Sequence, residues 1–504
     1  MQVKTQTDEL QNYLTDASNI KGGHAEKLFV PETAEELAVV LRDANDKKTP
    51  VTISGARTGT VGGAIPFGGF LISLEKLNKI KKINKENLFA VVEGGVLLTD
   101  LQKELEAQNL FYPPDPTEWS CQIGGTVATN ASGAKSFKYG ATRAFVQRLE
   151  IVLPSGEFLD LKRGENFAEN GFIELQTRAG KIIRAKIPTY FQPKTRKNAS
   201  GYFTSPNTDA IDLFVGSEGT LGAITEIELK ILPKPEGFLS GIVFFKGEKD
   251  LLSFVNEAKT LSFESRRNQI QNPKCQIQNL IDATLLEYFD NNSLNFIREK
   301  FPETPENMAG AIFFEQETDA ESEDALFELW NELLEKHNAD LESSWFTTNE
   351  NDLHKMREFR HALPVSVNEK IVRNKQRKIG TDMAVPDENF ASFLKFYKQK
   401  LDESALAYVI FGHIGDCHLH ANILPKNEPE AERAKHLYGR FVAQAVMLGG
   451  TVSAEHGIGK LKKNYLHIMF GERFLNEMAE LKRAFDPKGI LGRGNMFEEK
   501  FLPK

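Results

Sequence analysis

Residues 408–425 read YVIFGHIGDCHLHANILP and hold three of the chain's ten histidines. The first five have the apolar, aromatic make-up of a strand, residues 414–416 (IGD) that of a tight turn, and residues 418–424 that of a returning strand. Strand side chains alternate faces, so His418, His420 and Asn422 are expected on one side and Leu419, Ala421 and Ile423 on the other. His413 closes the first strand beside them. Neutral imidazole suits zinc and similar divalent ions. A fourth group comes from residues 449–459, GGTVSAEHGIG. In extended backbone neighbours point opposite ways, so Glu455 can face an ion while His456 faces another volume, free to act as a base. Two histidines and a carboxylate leave a coordination position open, the pattern of a catalytic rather than a structural site. Any single histidine here has an alternative reading as a satisfied core or surface residue, and His418 stays open between ligand and neighbour.

These groups need elements to position them, and glycine-rich segments dominate the first half. Residues 54–64 (SGARTGTVGGA) follow the apolar run Val51, Thr52, Ile53 and carry Gly55, Gly59, Gly62 and Gly63. Backbone without Cβ atoms can turn tightly and bring N–H groups onto a phosphate or pyrophosphate. The dinucleotide fingerprint GxGxxG is absent, and an ordinary glycine-rich turn is the competing reading. Residues 111–143 are read as a long functional loop, dense in Pro, Gly, Ser, Thr and Asn and anchored by Ile123, Val127, Phe137 and Tyr139. Residues 212–222 (DLFVGSEGTLG) form a third such turn.

Around them, Thr33 and Glu36 have capping-box spacing before a stripe of Leu37, Val40, Leu41 and Ala44, and Thr99 and Gln102 repeat that spacing. Strands are expected at 88–93, 147–153, 157–161 and 224–232, the last alternating Ile227, Leu229 and Ile231 with charged residues. Pro233, Lys234 and Pro235 mark a domain boundary. Beyond it the clearest helix is 320–336, with Leu326, Leu329, Trp330 and Leu333 on one face. The cluster Lys370, Arg373, Lys375, Arg377 and Lys378 is a solvated loop or contributes to an anionic-substrate site.

At 504 residues the chain is expected to form two or three domains, and 26% charged with 40% hydrophobic residues is the composition of a soluble globular protein. A net charge of −8 argues against a nucleic-acid binder. The cysteines Cys121, Cys275 and Cys417 are scattered, which suits neither an iron–sulfur site nor a disulfide framework. No secretory signal, C-terminal address or bilayer-spanning run is read, so a cytoplasmic location is expected, with peripheral contact at the inner membrane face left open.

SGARTGTVGGA, PPDPTEWSCQIGGTVATNASG, KYGATR, GSEGTLGAIT, GHIGDCHLH and AEHGIG occur in that order over nearly the whole chain. With them the sequence resembles the FAD-linked D-2-hydroxyacid dehydrogenases of the vanillyl-alcohol-oxidase (PCMH-type) superfamily, which include glycolate oxidase catalytic subunits, cytochrome-type D-lactate dehydrogenases and D-2-hydroxyglutarate dehydrogenases. The resemblance implies an α+β fold: a two-subdomain FAD-binding domain (1–235), an α+β, ferredoxin-like substrate cap (236–460) and a C-terminal segment (461–504) returning to the FAD domain. It implies that Gly55, Arg57, Thr58, Gly59, Gly62 and Gly63 carry the FAD pyrophosphate. Pro114, Asp115, Gly124, Gly125, Thr126, Asn130 and Gly133 would line the flavin with Tyr139 and Gly140, and Glu218, Gly219 and Ile224 would complete the site. It makes His413, His420 and Glu455 ligands of a divalent metal, with zinc the expected ion, His456 the base and Asn422 a substrate contact. Arg360 and Lys378 become candidates for the substrate carboxylate, with Arg357 competing for the place of Arg360.

The implied reaction oxidises a D-2-hydroxy acid to the 2-oxo acid. A divalent ion lowers the hydroxyl pKa, a histidine takes the proton and hydride passes to flavin N5. A guanidinium fork holds the carboxylate and fixes which face of C2 is presented. Two departures matter. The motif usually reading GDGNLH is GDCHLH, so Cys417 and His418 could change the ligand set or make the site oxidation-sensitive. Relatives often anchor flavin covalently through a loop histidine, but none occurs between His24 and His337, so non-covalent FAD is expected. Electrons would leave to a separate quinone, cytochrome or electron-transfer protein, and a homodimer is also expected. The alternatives are another flavoenzyme of this fold, resembling alkyl-glycerone-phosphate synthase or an aldonolactone oxidase, or a non-catalytic flavoprotein subunit.

Overall fold

The computed structural model describes residues 1–271 and 280–502; Cys275, Pro503 and Lys504 lie outside the described residues. A four-stranded sheet opens the chain, in the order Gln2–Lys4, Lys27–Val30, Phe70–Ser73, Val51–Ser54. The last three strands are parallel, and helix Ala34–Lys47 buries Leu37, Val40, Leu41 and Ala44 beside them. Thr33 caps that helix by accepting from Glu36 N–H. The Glu36 carboxylate reaches one residue further than a capping box requires, accepting from Glu32 N–H. The second capping box does not form: Thr99 lies inside helix Leu98–Glu106, and Gln102 donates to the Tyr112 carbonyl.

A five-stranded antiparallel sheet follows, ordered Ile80–Asn84, Phe89–Glu93, Ala223–Lys230, Val146–Val152, Phe158–Lys162. Segment 111–143, read as a loop, contains a buried helix, Ile123–Thr129. Glycine is a poor helix former, but Gly124 lies so close to Gly94 that a Cβ would stand 2.7 Å from the Gly94 carbonyl oxygen. Packing against the sheet overrides propensity there.

Leu232–Pro233 pairs with Leu110–Phe111, and Gly237–Phe245 then enters a different, seven-stranded sheet. Four of its strands, Gly237–Phe245, Leu285–Asp290, Gly310–Thr318 and Asp340–Thr347, run antiparallel in the spatial order fourth, first, third, second. This is the ferredoxin-like arrangement. Helices Glu248–Gln271 and Glu323–Lys336 pack on one face, where Trp330 stacks on Phe314 at 4.0 Å. Helix Glu350–Arg373 covers the other through Phe359 against Phe289 and Trp345. The sheet is extended past Leu285–Asp290 by the hairpin Tyr408–Gly412 and His420–Ile423, then by Ile379–Gly380. After helix Lys463–Phe485 the chain returns to the first sheet: Val51 N–H donates to the Ile490 carbonyl and Gly492 N–H to the Val51 carbonyl. Among the described residues no helix is long and apolar enough to cross a membrane.

Candidate active site

The hairpin brings its histidines together by register. Phe411 pairs with His420 across the two strands, and Phe289 pairs with Phe411 on the other side, which sets Glu287 beside His413. The Glu287 carboxylate lies 2.5 Å from His413 Nδ1, while His420 Nδ1 lies 2.8 Å from the Thr381 carbonyl oxygen. A carbonyl can only accept, so His420 carries its proton on Nδ1, and an ionised Glu287 asks the same of His413. Both rings therefore present Nε2 to Glu455, at 3.3 and 3.6 Å. Locking the distal nitrogen with a carboxylate or carbonyl is how proteins orient metal-binding histidines.

His418 belongs to the same cluster. One ligand atom from each of His413, His418, His420 and Glu455 lies within 4.8 Å of the others. His418 is fully buried and both its ring nitrogens lack a hydrogen-bond partner, although Nε2 approaches Asp382 at 3.2 Å. Burial pushes its imidazole down to about 3, so it is neutral. An orphaned, neutral, buried imidazole beside a carboxylate is what a divalent cation would satisfy, and the donor set fits one.

Segment 451–456 is bent rather than extended, which corrects the expectation that Glu455 and His456 face separate volumes. Both flank His420: the His456 ring stacks on it at 5.6 Å and 16°. Asp382, fully buried, holds this bend by accepting from the N–H groups of Glu455 and His456, from Ser453 Oγ and from Lys462 Nζ. Its Oδ2 also lies 3.4 Å from His456 Nδ1. Burial pushes His456 down to about 4 against the opposing pull of Asp382. For Glu455, burial is outweighed by His413 and Lys197, which hold the carboxyl well below its ordinary value. Lys197 Nζ sits 2.6 Å from Glu455 and also donates to the Gly133 carbonyl, tying the cluster to segment 111–143.

Glu455 and His456 line a cavity of about 330 Å³. Of the residues expected around FAD, Gly55, Arg57, Thr58, Gly59, Gly63, Gly124, Gly125 and Thr126 line it, as do Glu218, Gly219 and Ile224. At Gly59 and Gly125 no protein atom lies within 4 Å of where a Cβ would stand, so both present bare backbone to open space. That cavity between glycine-rich loops fits a dinucleotide. Seven others do not line it. Gly62 packs on Ile20, and Gly133 on the Asp115 carbonyl oxygen, 1.8 Å from a would-be Cβ. Asn130 caps helix Ile123–Thr129, Tyr139 meets Phe111 edge-on, and Gly140 follows it in a left-handed turn. Asp115 is engaged by Trp119 and Lys135, and Pro114, buried, precedes it in the chain.

A smaller cavity of about 40 Å³ adjoins the cluster on its other side, reached by His413, His420 and Glu287 and sharing Thr117 with the larger one. Arg360 enters it with Nε 3.0 Å from Glu287. Arg357, one turn earlier, makes a two-point pair with Glu315 and stacks on Phe238, so it does not compete. Two of the expected substrate contacts line neither cavity. Lys378 lines neither cavity, being exposed beside Gly380, and Asn422 is buried with Oδ1 directed at Gly380. Asn422 stands two residues after His420 on the same strand, and its Nδ2 donates to the His420 carbonyl. Cys417 also stays out of the ligand set. Its positive φ of 54° swings the thiol to Asp387 and Lys259, and burial pushes it up to about 12, which removes the reactive thiolate. Glu287, Asp382 and Lys197 had no local sequence signal.

Family comparisons match residues 25–162 to an FAD binding domain and residues 260–496 to the C-terminal domain of FAD linked oxidases. The chain is 32% identical to a D-lactate dehydrogenase of Anaerostipes hadrus, over 97% of this chain and 93% of that protein. It is 29% identical to glycolate oxidase subunit GlcD of Bacillus subtilis, covering 96% and 92%, and 28% identical to a D-2-hydroxyglutarate dehydrogenase of Stutzerimonas stutzeri, covering 98% and 96%. In fold it is similar to an alkyldihydroxyacetonephosphate synthase, with a TM-score of 0.67 at 15% identity over 97% of this chain and 82% of that one.

Proposed function

Since this chain belongs to the FAD-linked oxidoreductases of the D-lactate dehydrogenase and glycolate oxidase family, we propose that it oxidises a D-2-hydroxy acid to the 2-oxo acid with a divalent metal at His413, His418, His420 and Glu455. The observation that carries this reading is the position of the cluster, between the glycine-lined cavity and the pocket holding Arg360. FAD held between Gly59, Gly125 and Gly219 would supply a two-electron acceptor, and an ion held by His413, His418, His420 and Glu455 would supply positive charge beside the substrate hydroxyl.

The rest falls to this chain's own groups. Arg360, with Nε fixed by Glu287, turns the far edge of its guanidinium to the substrate carboxylate and so orients C2. Glu287 and the Thr381 carbonyl keep the Nε2 lone pairs of His413 and His420 aimed at the ion. His456 is neutral at physiological pH and takes the hydroxyl proton on Nε2, its Nδ1 proton being directed at Asp382. Lys197 balances part of the charge on Glu455. The test is anaerobic bleaching of the flavin by D- and L-2-hydroxy acids, with metal analysis of protein purified without chelator. His456→Ala should keep flavin and metal but lose bleaching. Full activity in metal-free protein, or bleaching unchanged in His456→Ala, would overturn the scheme.

A further inference from the structure

Resting on that functional reading, we infer that His418 fills a fourth protein position on the ion, so that the site is built for an ion taking five or six ligands, of the manganese(II) or iron(II) kind, rather than for zinc. Orientation, an unmet need and position in the fold separate His418 the ligand from His418 the mere neighbour.

Each of the three histidines has one ring nitrogen held from behind and the other directed at Glu455. His413 is held by Glu287 and His420 by the Thr381 carbonyl, and their Nε2 atoms lie 3.3 and 3.6 Å from Glu455. His418 repeats the arrangement with its nitrogens exchanged: Nε2 approaches Asp382 at 3.2 Å, and Nδ1 lies 3.9 Å from Glu455 Oε2. Atoms bound about 2.0–2.2 Å from one ion stand at most about 4.4 Å apart, so all three separations suit shared ligation. The need is plain in Nδ1, which is buried without a hydrogen-bond partner, a state that a native interior seldom leaves uncompleted. In position, His418 lines neither cavity, whereas His413 and His420 reach the smaller one and Glu455 the larger. His418 therefore closes the protein side of the cluster and leaves the cavity side for substrate.

Three imidazoles and a carboxylate fill the four positions that zinc prefers, which is how a structural zinc site is completed. A cluster bordered by two cavities, with a substrate hydroxyl to receive, needs a further position. Mixed nitrogen and oxygen donors with open places suit manganese(II) and iron(II).

The test uses cobalt(II) as a reporter, loaded into the FAD-containing protein after its own metal has been removed. Its visible bands, read beyond the flavin absorption, should be the weak ones of an ion with more than four ligands. The intense bands of a four-coordinate ion would overturn the inference. His418→Gln keeps a donor near Asp382 but removes the nitrogen facing Glu455, and His418→Ala accompanies it in case the amide does not fold in place. Cobalt(II) affinity, by chelator competition, should fall about tenfold or more in both, with a changed spectrum. Unchanged affinity and spectrum would make His418 a neighbour and overturn the inference. In the wild type, flavin reduction by D-lactate should be about tenfold or more faster with manganese(II) or iron(II) than with zinc. Equal or faster reduction with zinc would overturn the choice of ion. Reduction by no 2-hydroxy acid with any of these ions would overturn the functional reading, while the cobalt(II) spectrum and affinity still decide the ligand set.

Discussion

Glu287 is a sharp place to test the scheme, because one buried carboxylate serves both the metal cluster and the substrate pocket. It meets His413 Nδ1 at 2.5 Å and Arg360 Nε at 3.0 Å, and the pull of these two partners outweighs its burial and holds it down to about 2. Glu287→Gln keeps the shape and one acceptor. The amide oxygen can still serve His413, but its NH2 then faces the Arg360 N–H, donor against donor. Losing a charge-assisted hydrogen bond in a buried site costs about 2–3 kcal/mol, or about 30- to 150-fold in kcat/KM. Metal affinity should fall about 10- to 100-fold through the weakened His413 support. The assays are chelator competition for the metal and stopped-flow flavin reduction. Glu315→Gln is the control: it breaks a pair between an equally buried carboxylate and an arginine of the same helix, Arg357, but touches neither cavity. It should cost stability and spare kcat/KM. If Glu287→Gln keeps its metal and stays within about threefold of wild type in kcat/KM, or if Glu315→Gln loses as much activity, the argument is wrong.

Gly125→Ala should leave the apoprotein as stable or up to about 1 kcal/mol more stable, since it sits in a helix with no protein atom near the new methyl, yet weaken FAD binding about tenfold by titration. Acid precipitation should release all the flavin into the supernatant: Cys121, the cysteine lining the cavity, is pushed up to about 12 by burial and is not nucleophilic. Glu218 is raised to about 7 by burial despite accepting from Ile458 and Gly459 N–H. A carboxyl with a raised folded-state pKa contributes stability below its unfolded value, and that contribution is lost as pH rises through about 7. The apoprotein's melting temperature relative to Glu218→Gln should therefore fall between about pH 4.5 and 7.5; a constant difference would refute the assignment.

The family and the fold were legible because their signals are local. The GHIGDCHLH hairpin and the alternation of Ile227, Leu229 and Ile231 are carried by neighbouring residues, and periodicity reports them. What was not legible lies in long-range partners. Glu287 and Lys197 are far from the histidines in sequence, and nothing around them differs from an ordinary strand or loop. Asp382 bends 451–456, so a rule for extended backbone misplaced His456 relative to Glu455. Asn422 was carried over by motif position, while its closeness to Gly380 comes from the pairing of Ile379–Gly380 with the hairpin. Helix Ile123–Thr129 was hidden because its glycines speak against helix, and only the contact with Gly94 explains it.

The return of the chain to Val51 also bears on biogenesis. Asn495 Nδ2 donates to the Gly63 carbonyl, 432 residues away in sequence, and to the Glu218 carbonyl, while Lys460 joins Gly62 to Asn495. The glycine-rich loop that lines the larger cavity is thus fastened by residues made after the seven-stranded sheet. During synthesis, which proceeds from the N-terminus, the nascent cradle stays unlatched while the whole cap emerges and folds. On the proposed reading, flavin retention is expected only after residues 460–495 have been made and docked, so a chain stalled before them would not hold its cofactor.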